Sequence, residues 1–216
     1  MPPRWNPWPG PPAPLDLAEP AVLAEVLRLQ RAAYAVEAAR IGDDRIPPLH
    51  ETAEQLRTAG LHWLGVPSGA TAAHTAQHTQ HAAPAAGLAT AERTVRHSDP
   101  HAAAHAALGP EAGPTAGIDA GRDDDPVPLA AAVAWSVDGS LLDLHRLVVD
   151  PVHARRGLGR ALVAHLLDAH PDRPAVVSTG RGNLPARRLY EGLGFTQAGT
   201  VEVLPGLQVV RYELAR

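Results

Sequence analysis

The feature that most constrains the fold is a strand that runs through a short turn into a helix start containing two glycines. Residues 141–149 are mostly apolar and end at Asp150-Pro151, and residues 154–162 then read Ala-Arg-Arg-Gly-Leu-Gly-Arg-Ala-Leu. The first N–H groups of a helix have no partner inside it, and the helix dipole adds partial positive charge at the same end. Glycine leaves that backbone accessible to a ligand. The segment therefore predicts a cradle for a phosphate or pyrophosphate.

Two common nucleotide-binding patterns do not fit this segment. Leu162 stands where G-x-G-x-x-G would need its third glycine, and the chain has no lysine to form a Walker loop. A nucleotide-binding protein that uses Gly157 and Gly159 to hold ATP is therefore disfavoured.

Hydrophobic periodicity and chain breakers predict an alternation of helices and strands. Helical spacing is found at 20–40, 51–59, 157–169 and 184–192. Strand patterns are found at 61–66, 129–136, 141–149, 175–179, 195–203 and 207–214. The predicted fold class is α/β (α+β), a mixed sheet with helices packed against it. If residues 67–126 were removed, the first two strands would form a hairpin.

Two segments differ from the rest in composition. Residues 1–14 contain seven prolines, and residues 67–126 contain eighteen alanines and six histidines but no Phe, Trp or Tyr. A proline-rich tail stays extended, and the second segment buries too little apolar surface to offset an ordering cost of about 1–2 kcal/mol per residue. We predict a disordered tail at 1–14, a disordered insertion at 67–126, and one domain made of 15–66 and 127–216.

The insertion carries two sets of histidines at helical spacing, which are His74, His78 and His81, and then His97, His101 and His105. On a helix each set would share one face, as metal ligands do. Carboxylates are sparse in this segment and cysteine is absent from the chain. A low-complexity linker is therefore favoured over a metal site, and no metal is predicted.

Charge and hydropathy favour a cytoplasmic protein. A net charge of −4 gives no general attraction to nucleic acid or to an anionic membrane. No stretch approaches the roughly 18 apolar residues of a membrane span, and the N-terminus lacks the apolar run of a signal peptide. Because there is no cysteine, disulfides, thiolate metal sites and a cysteine nucleophile are excluded.

A second motif follows the strand predicted at 175–179. Residues 183–195 read Asn-Leu-Pro-Ala-Arg-Arg-Leu-Tyr-Glu-Gly-Leu-Gly-Phe. This block is similar to N-x-x-A-x-x-x-Y-x-x-x-G-F, a pattern of the GNAT superfamily of N-acetyltransferases. The helix start at 154–159 resembles the coenzyme A loop of the same superfamily, [Q/R]-x-x-G-x-[G/A]. Gly157 and Gly159 match that loop, whereas Ala154 takes its first position and is followed by Arg155 and Arg156.

The resemblance covers about 15–66 and 127–216, in the manner of a bacterial single-domain member. It implies a GNAT fold of about six to seven strands, with a V-shaped splay in the sheet that admits acetyl-CoA as co-substrate. The implied activity is transfer of the acetyl group to a primary amine of a small molecule or peptide by direct attack. The alternative is a noncatalytic acetyl-CoA-binding regulatory module. Oligomeric state is left open, with a homodimer among the options.

The resemblance also assigns site residues. In the superfamily the strand backbone before the loop pairs with the pantetheine arm, the loop binds the pyrophosphate, and the asparagine of the second motif contacts pantetheine. The matching positions are Leu147, Val148, Val149, Arg155, Arg156, Gly157, Leu158, Gly159, Arg160 and Asn183. Tyr190 matches the general acid that protonates the departing thiolate.

The general base is left open between several groups. Asp143 stands four residues before Leu147, where some relatives have a catalytic glutamate, and His145 competes with an ordinary pKa near 6.5. Strand alternation would place both on one face with Leu147 and Val149. The further alternatives are a water-mediated route and two carboxylates on the N-terminal helices, Glu37 and Glu51.

Overall fold

One twisted sheet organises the part of the chain that the structure describes. The structure is a computed structural model, and it describes residues 9–69 and 127–216. Within these ranges seven strands form one sheet in the order β1-β2-β3-β4-β5-β7-β6. The strands are β1 (Ala13–Pro14), β2 (His62–Pro67), β3 (Leu129–Asp138), β4 (Leu141–Val149), β5 (Ala175–Gly180), β6 (Thr196–Leu204) and β7 (Leu207–Leu214).

Four α-helices flank this sheet within the same ranges. They are α1 (Pro20–Ile41), α2 (Ala53–Thr58), α3 (Leu158–Ala169) and α4 (Leu184–Glu191). Short 3₁₀ turns occur at Pro47–Leu49 and Pro151–His153. The predicted mixed sheet with packed helices is therefore confirmed. No described helix combines the length and the apolar character that crossing a bilayer requires.

The chain forms these elements for local reasons that the sequence already shows. Pro20 occupies the first turn of α1, where a missing N–H costs nothing, and Gly42 ends the helix with φ 71°. Thr52 and Gln55 form a reciprocal capping box at the start of α2. The predicted hairpin is also confirmed, because β2 pairs antiparallel with β3 from His62↔Trp135 onward.

The N-terminal boundary of the domain differs from the prediction. Ala13 and Pro14, placed in the disordered tail, instead pair with Gly65 and Leu64 of β2. Proline is tolerated there because β1 is an edge strand. The neighbouring Leu15 fills the space over Gly65, where a Cβ would lie 2.7 Å from its Cδ1. Residues 1–8 and 70–126, which include both histidine sets, lie outside the described residues.

The sheet parts between β4 and β5. These strands run parallel and pair over three positions only, from Leu142↔Ala175 to Leu144↔Val177. Beyond Val177, β5 continues along β7 as far as Gly180↔Val209. The last four residues of β4 pair with β3, so their other edge faces the gap. This parting is the splay that the fold prediction anticipated.

A β-bulge in β4 begins at the same level. Ala134 of β3 lies opposite Arg146, whereas its neighbour Trp135 lies opposite Leu144, so His145 is the extra residue. A bulge interrupts the alternation of side chains. The prediction that Asp143 and His145 share a face with Leu147 and Val149 is therefore wrong. Leu147 and Val149 pack with the α3 side of the sheet, as Leu142 and Leu144 do.

Helices cover the sheet on both faces. On one face α3 and α4 contribute to a cluster with residues of β2–β5 and β7, which includes Leu142, Leu162, Val177 and Tyr212. On the other, α1 and α2 pack over Trp63, Ala132, Ala134 and Val148. Strand β3 is buried on both sides, and its residues 130–134 are fully buried. Four of these five are alanine, which lets helices approach from both faces.

A buried carboxylate fastens α1 to the sheet. Glu25 is 7% exposed, and its Oε1 accepts the backbone N–H of Leu129 at 2.7 Å. Arg28 donates to both oxygens of Glu25 and, at 3.1 Å, to Oδ2 of Asp150 at the end of β4. Burial of Glu25 is therefore matched by three hydrogen bonds, and α1 is tied to the starts of both β3 and the loop after β4.

Replacing Glu25 with alanine should lower the free energy of unfolding by about 2 kcal/mol, because the Leu129 N–H would stay buried without an acceptor. Urea denaturation measures this loss. The matched control is Glu54→Ala, which breaks an exposed ion pair with Arg57 and should cost less than about 1 kcal/mol. Equal losses in the two variants would contradict the role given to Glu25.

Candidate active site

The loop between β4 and α3 has the backbone geometry of an anion-binding nest. Asp150 begins it by accepting the Val152 N–H at 3.0 Å. Arg155 adopts a left-handed conformation with φ 63°, and Gly157, the N-cap of α3, does so with φ 80°. Left-handed residues next to right-handed ones turn successive N–H groups toward a common point. The loop therefore presents a concave set of donors at the N-terminus of α3.

These donors have no competing acceptor. Within the described ranges, the backbone N–H groups from Arg155 to Arg160 donate to no backbone carbonyl. Arg155 and Arg156 are exposed beside them. Arg160 is engaged elsewhere, since its Nη2 donates to the Gly192 carbonyl oxygen at 2.7 Å and joins α3 to the end of α4. The loop with its two free arginines fits a pyrophosphate, whereas Arg160 has a structural contact.

The two glycines of the loop do different things. Gly157 supplies a backbone conformation that side chains disfavour. Gly159 is buried and faces inward, where a Cβ would lie 3.4 Å from Leu189 and 3.5 Å from Leu147 and Val149. Those are ordinary contact distances. Gly159 therefore lets α3 approach β4 and α4 closely, and it leaves room for a methyl group.

This difference predicts opposite results for two similar substitutions. Gly157→Ala should destabilise the protein by roughly 1–2 kcal/mol, the cost of a left-handed residue with a side chain. Gly159→Ala should leave the melting temperature unchanged or slightly raised, because alanine favours helix and its Cβ fits. Thermal unfolding of the two variants checks this, and a large loss for Gly159→Ala would show that the inward packing is tighter than described.

The backbone of β4 beyond the bulge borders the gap in the sheet. Leu147 and Val149 direct their side chains to the α3 cluster and Val148 to the α1 cluster. Their main-chain groups on the β5 side have no strand partner among the described residues. An extended ligand can bind such an edge through main-chain hydrogen bonds, as an added strand would. The three predicted residues thus offer backbone rather than side chains.

Tyr190 links the buried core to this gap. Its ring is 4% exposed and packs against Phe195 and Tyr212 with centroid separations of 5.7 and 6.2 Å. Burial raises the pKa of its hydroxyl well above the ordinary value, and the nearby Tyr34 and Glu37 of α1 raise it further. The hydroxyl therefore stays protonated at neutral pH and lies close to Tyr34 and Glu37 of α1.

Asn183 lies at the junction of β5 and α4. Its Oδ1 accepts the Ala186 N–H at 3.2 Å and caps α4. It is 9% exposed, and its side chain also interacts with the carboxylate of Glu37. The N-cap that the sequence predicts is thus present. The side chain of Asn183 also contacts α1, through Glu37.

Asp143 and His145 form a separate pair on β4. Asp143 Oδ2 lies 3.9 Å from His145 Nε2, which is also 2.9 Å from the Ser136 hydroxyl. Burial lowers the pKa of His145 against the opposing effect of Asp143. Both side chains remain partly exposed. Their recorded contacts are with each other, with Ser136 and with Arg146 rather than with Tyr190.

A polar cluster on the α1 face was not anticipated from the sequence. Glu51 accepts from Gln30 Nε2 at 2.8 Å and pairs with Arg146 Nη2 at 3.4 Å. Gln30 Oε1 and Arg146 Nε are buried with no hydrogen-bond partner among the described residues. The available signals were a glutamine in the apolar stripe of α1 and an arginine in an apolar strand. Neither signal is specific, because glutamine and arginine fit an exposed position equally well.

Comparison with known proteins identifies the class. The model of the GNAT acetyltransferase family matches residues 82–195, just over half of the chain. The chain therefore belongs to the GNAT acetyltransferase family. The predicted family and fold are confirmed, and an acyltransferase that uses acetyl-CoA is what membership of this family implies.

Individual relatives match over limited stretches. Mycothiol acetyltransferase of Kineococcus radiotolerans is 44% identical over 78 residues, which is 35% of this chain and 25% of that protein. The [ribosomal protein bS18]-alanine N-acetyltransferase of Escherichia coli is 38% identical over 71 residues, or 30% and 48% of the two chains. The chain thus spans a quarter to about half of the curated relatives that it matches.

One solved structure shares the fold over nearly its full length. A GNAT-family protein from Desulfovibrio desulfuricans superimposes with a TM-score of 0.50, covering 95% of this chain and 98% of that chain. The two sequences are 17% identical. This likeness concerns the fold alone.

Proposed function

We propose that the protein is an acetyl-CoA-dependent N-acetyltransferase that acts on a primary amine of a small molecule or peptide. The observation that carries this proposal is the arrangement around the gap between β4 and β5. An anion nest, whose six backbone N–H groups donate to no carbonyl among the described residues, lies at the α3 end of β4, and the protonated hydroxyl of Tyr190 lies close to Tyr34 and Glu37 of α1. Relatives named for protein alanine and for phosphinothricin support an amine acceptor of either kind.

The residues fit acetyl-CoA in three parts. The nest at 155–160, with Arg155 and Arg156, would hold the pyrophosphate. The free backbone edge of 147–149 would pair with the pantetheine arm, and Asn183 would contact its amides. When bound, acetyl-CoA supplies an acetyl thioester, from which the acyl group passes to the amine nitrogen while the sulfur leaves as a thiol.

Tyr190 would supply the proton that the departing sulfur needs. Its raised pKa keeps the phenol protonated across neutral pH, so the proton is present when the thiolate forms. The ring is fixed by Phe195 and Tyr212, so the hydroxyl is held in place without rearrangement. General acid catalysis of this kind contributes typically 10²–10⁴-fold.

The second candidate is an acetyl-CoA-binding regulatory module without catalysis. It needs the nest and the strand edge but has no use for a buried tyrosine hydroxyl near the gap. The two functions therefore differ in what the Tyr190 hydroxyl contributes.

Calorimetric titration should give tight binding of acetyl-CoA and none of ATP or NAD at the same concentrations. The reason is that the loop provides a pyrophosphate nest but neither a Walker lysine nor a third glycine. The control is the double variant Arg155→Ala, Arg156→Ala, which should weaken acetyl-CoA binding and weaken it more at low salt. No binding of acetyl-CoA to the wild type would overturn the proposed function.

Tyr190→Phe should bind acetyl-CoA as well as the wild type and lower kcat by about 10²-fold or more, because the ring packing is kept and the proton donor is lost. A thiol reagent follows the reaction cleanly, since a chain without cysteine lets it report only released CoA. Unchanged turnover would remove Tyr190 from the mechanism. No turnover in the wild type with any amine, despite tight binding, would favour the regulatory module.

A further inference from the structure

The carboxylate of Glu37 reaches across the gap in the sheet. Glu37 lies on the last turns of α1, and a Cβ on Gly180 would be 3.0 Å from its Oε1. The backbone N–H of Gly180 and the side chain of Asn183 both stabilise the charged form of Glu37. Gly180 ends β5, and Asn183 begins α4. Glu37 therefore bridges from the helix over the sheet to the two elements on the far side of the gap.

Glu37 also lies beside both tyrosines of the site. It influences the ionisation of Tyr190 and of Tyr34, which lies one turn earlier on α1. Glu37 and Tyr34 are each partly exposed, so a ligand can reach them. The proposed proton donor thus lies close to this partly exposed carboxylate.

The other candidate carboxylates lack this combination. Glu51 is 13% exposed on its side chain and is already matched by Arg146 and Gln30. Asp143 is accessible, but it pairs with His145 beside Ser136 on the far side of the bulge from Leu147. Glu37 is the one among these three that is accessible, lacks a cation in hydrogen-bond contact among the described residues, and adjoins Tyr190.

We propose that Glu37 binds the ammonium group of the acceptor amine and takes its proton. The proton moves from the amine nitrogen to a carboxylate oxygen of Glu37, which leaves the nitrogen lone pair free to attack. This inference rests on the proposed acetyltransferase function and names the base of that same site.

The surroundings of Glu37 suit this role. Burial raises the pKa of Glu37, while Asn183, Arg40 and the Gly180 N–H oppose that rise. A carboxylate with a raised pKa is a stronger base and lies closer to an amine whose ordinary pKa is near 10.4. The neighbouring phenols stay protonated over the same range, because burial raises the pKa of Tyr34 to about 12 and that of Tyr190 further.

The test is Glu37→Gln, assayed on the best acceptor from a panel containing spermidine, an alanine-initiated peptide and phosphinothricin. At neutral pH kcat/KM for the amine should fall by about 10²-fold or more, with acetyl-CoA binding unchanged. In the wild type kcat/KM should fall at acidic pH, at a pKa above the ordinary glutamate value near 4.3. In the variant this acidic limb of the pH profile should be absent. Its activity should recover at alkaline pH, where more of the amine is unprotonated.

Matched variants separate this role from a structural one. Glu54→Gln, which changes an exposed carboxylate on α2, should leave the rate and the pH profile unchanged. Glu37→Gln should not lower the melting temperature at neutral pH, because a raised pKa means that the charged form is disfavoured in the folded state above that pKa.

Several outcomes would overturn the inference while leaving the proposed function intact. One is that Glu37→Gln keeps the wild-type rate and the acidic limb of the pH profile. Another is that the acidic limb is lost in Asp143→Asn instead. A lower melting temperature together with an unshifted pH profile would reduce Glu37 to a structural contact. If the wild type bound no acetyl-CoA, the proposed function itself would fail, which is a separate result.

Discussion

The parting of β4 from β5 after Leu144 is the constraint on which the rest of the structure depends. A parallel pair that continued along both strands would fill the gap with its own hydrogen bonds. Here the pairing stops after three positions, the bulge at His145 turns β4, and β5 follows β7 instead. The backbone edge that this frees has no strand partner on the β5 side among the described residues. An extended ligand that lies along β4 can therefore form hydrogen bonds with these backbone groups.

Helix α1 makes the open sheet stable. It is fastened near its start by Glu25 and Arg28 to β3 and to the loop after β4. Its middle packs on Trp63, Ala132 and Val148, and Glu37 near its end meets the β5–α4 junction. One helix thus holds both halves of the sheet at a fixed separation. It also carries Tyr34 and Glu37 to the side of the gap opposite the anion nest.

The loop after β4 and the region around Glu37 differ in charge. Arg155, Arg156 and the N-terminus of α3 attract anions at the loop after β4, whereas Glu37 lies near two protonated phenols where α1 meets the end of β5. A cofactor with a pyrophosphate and an acceptor with an ammonium group would be sorted to these two regions by this difference.

By itself, the sequence predicted the four helices, the strands from β2 onward and the family, and it singled out the loop at 154–159 and Tyr190 as candidate site residues, because each depends on local patterns: hydrophobic period, glycine spacing and contiguous motifs. The predicted helix at 157–169 and strand at 141–149 are matched within one residue by α3 and β4.

Only the tertiary structure decided which side chains share a face after His145, since one unpaired residue in a ladder reverses the alternation and leaves no local signature. The same holds for Ala13–Pro14, which became a strand through contacts with residues fifty positions away. It holds also for Glu37, whose environment comes from Gly180 and Asn183, because the burial and neighbours that tune a carboxylate exist only after distant segments have packed together.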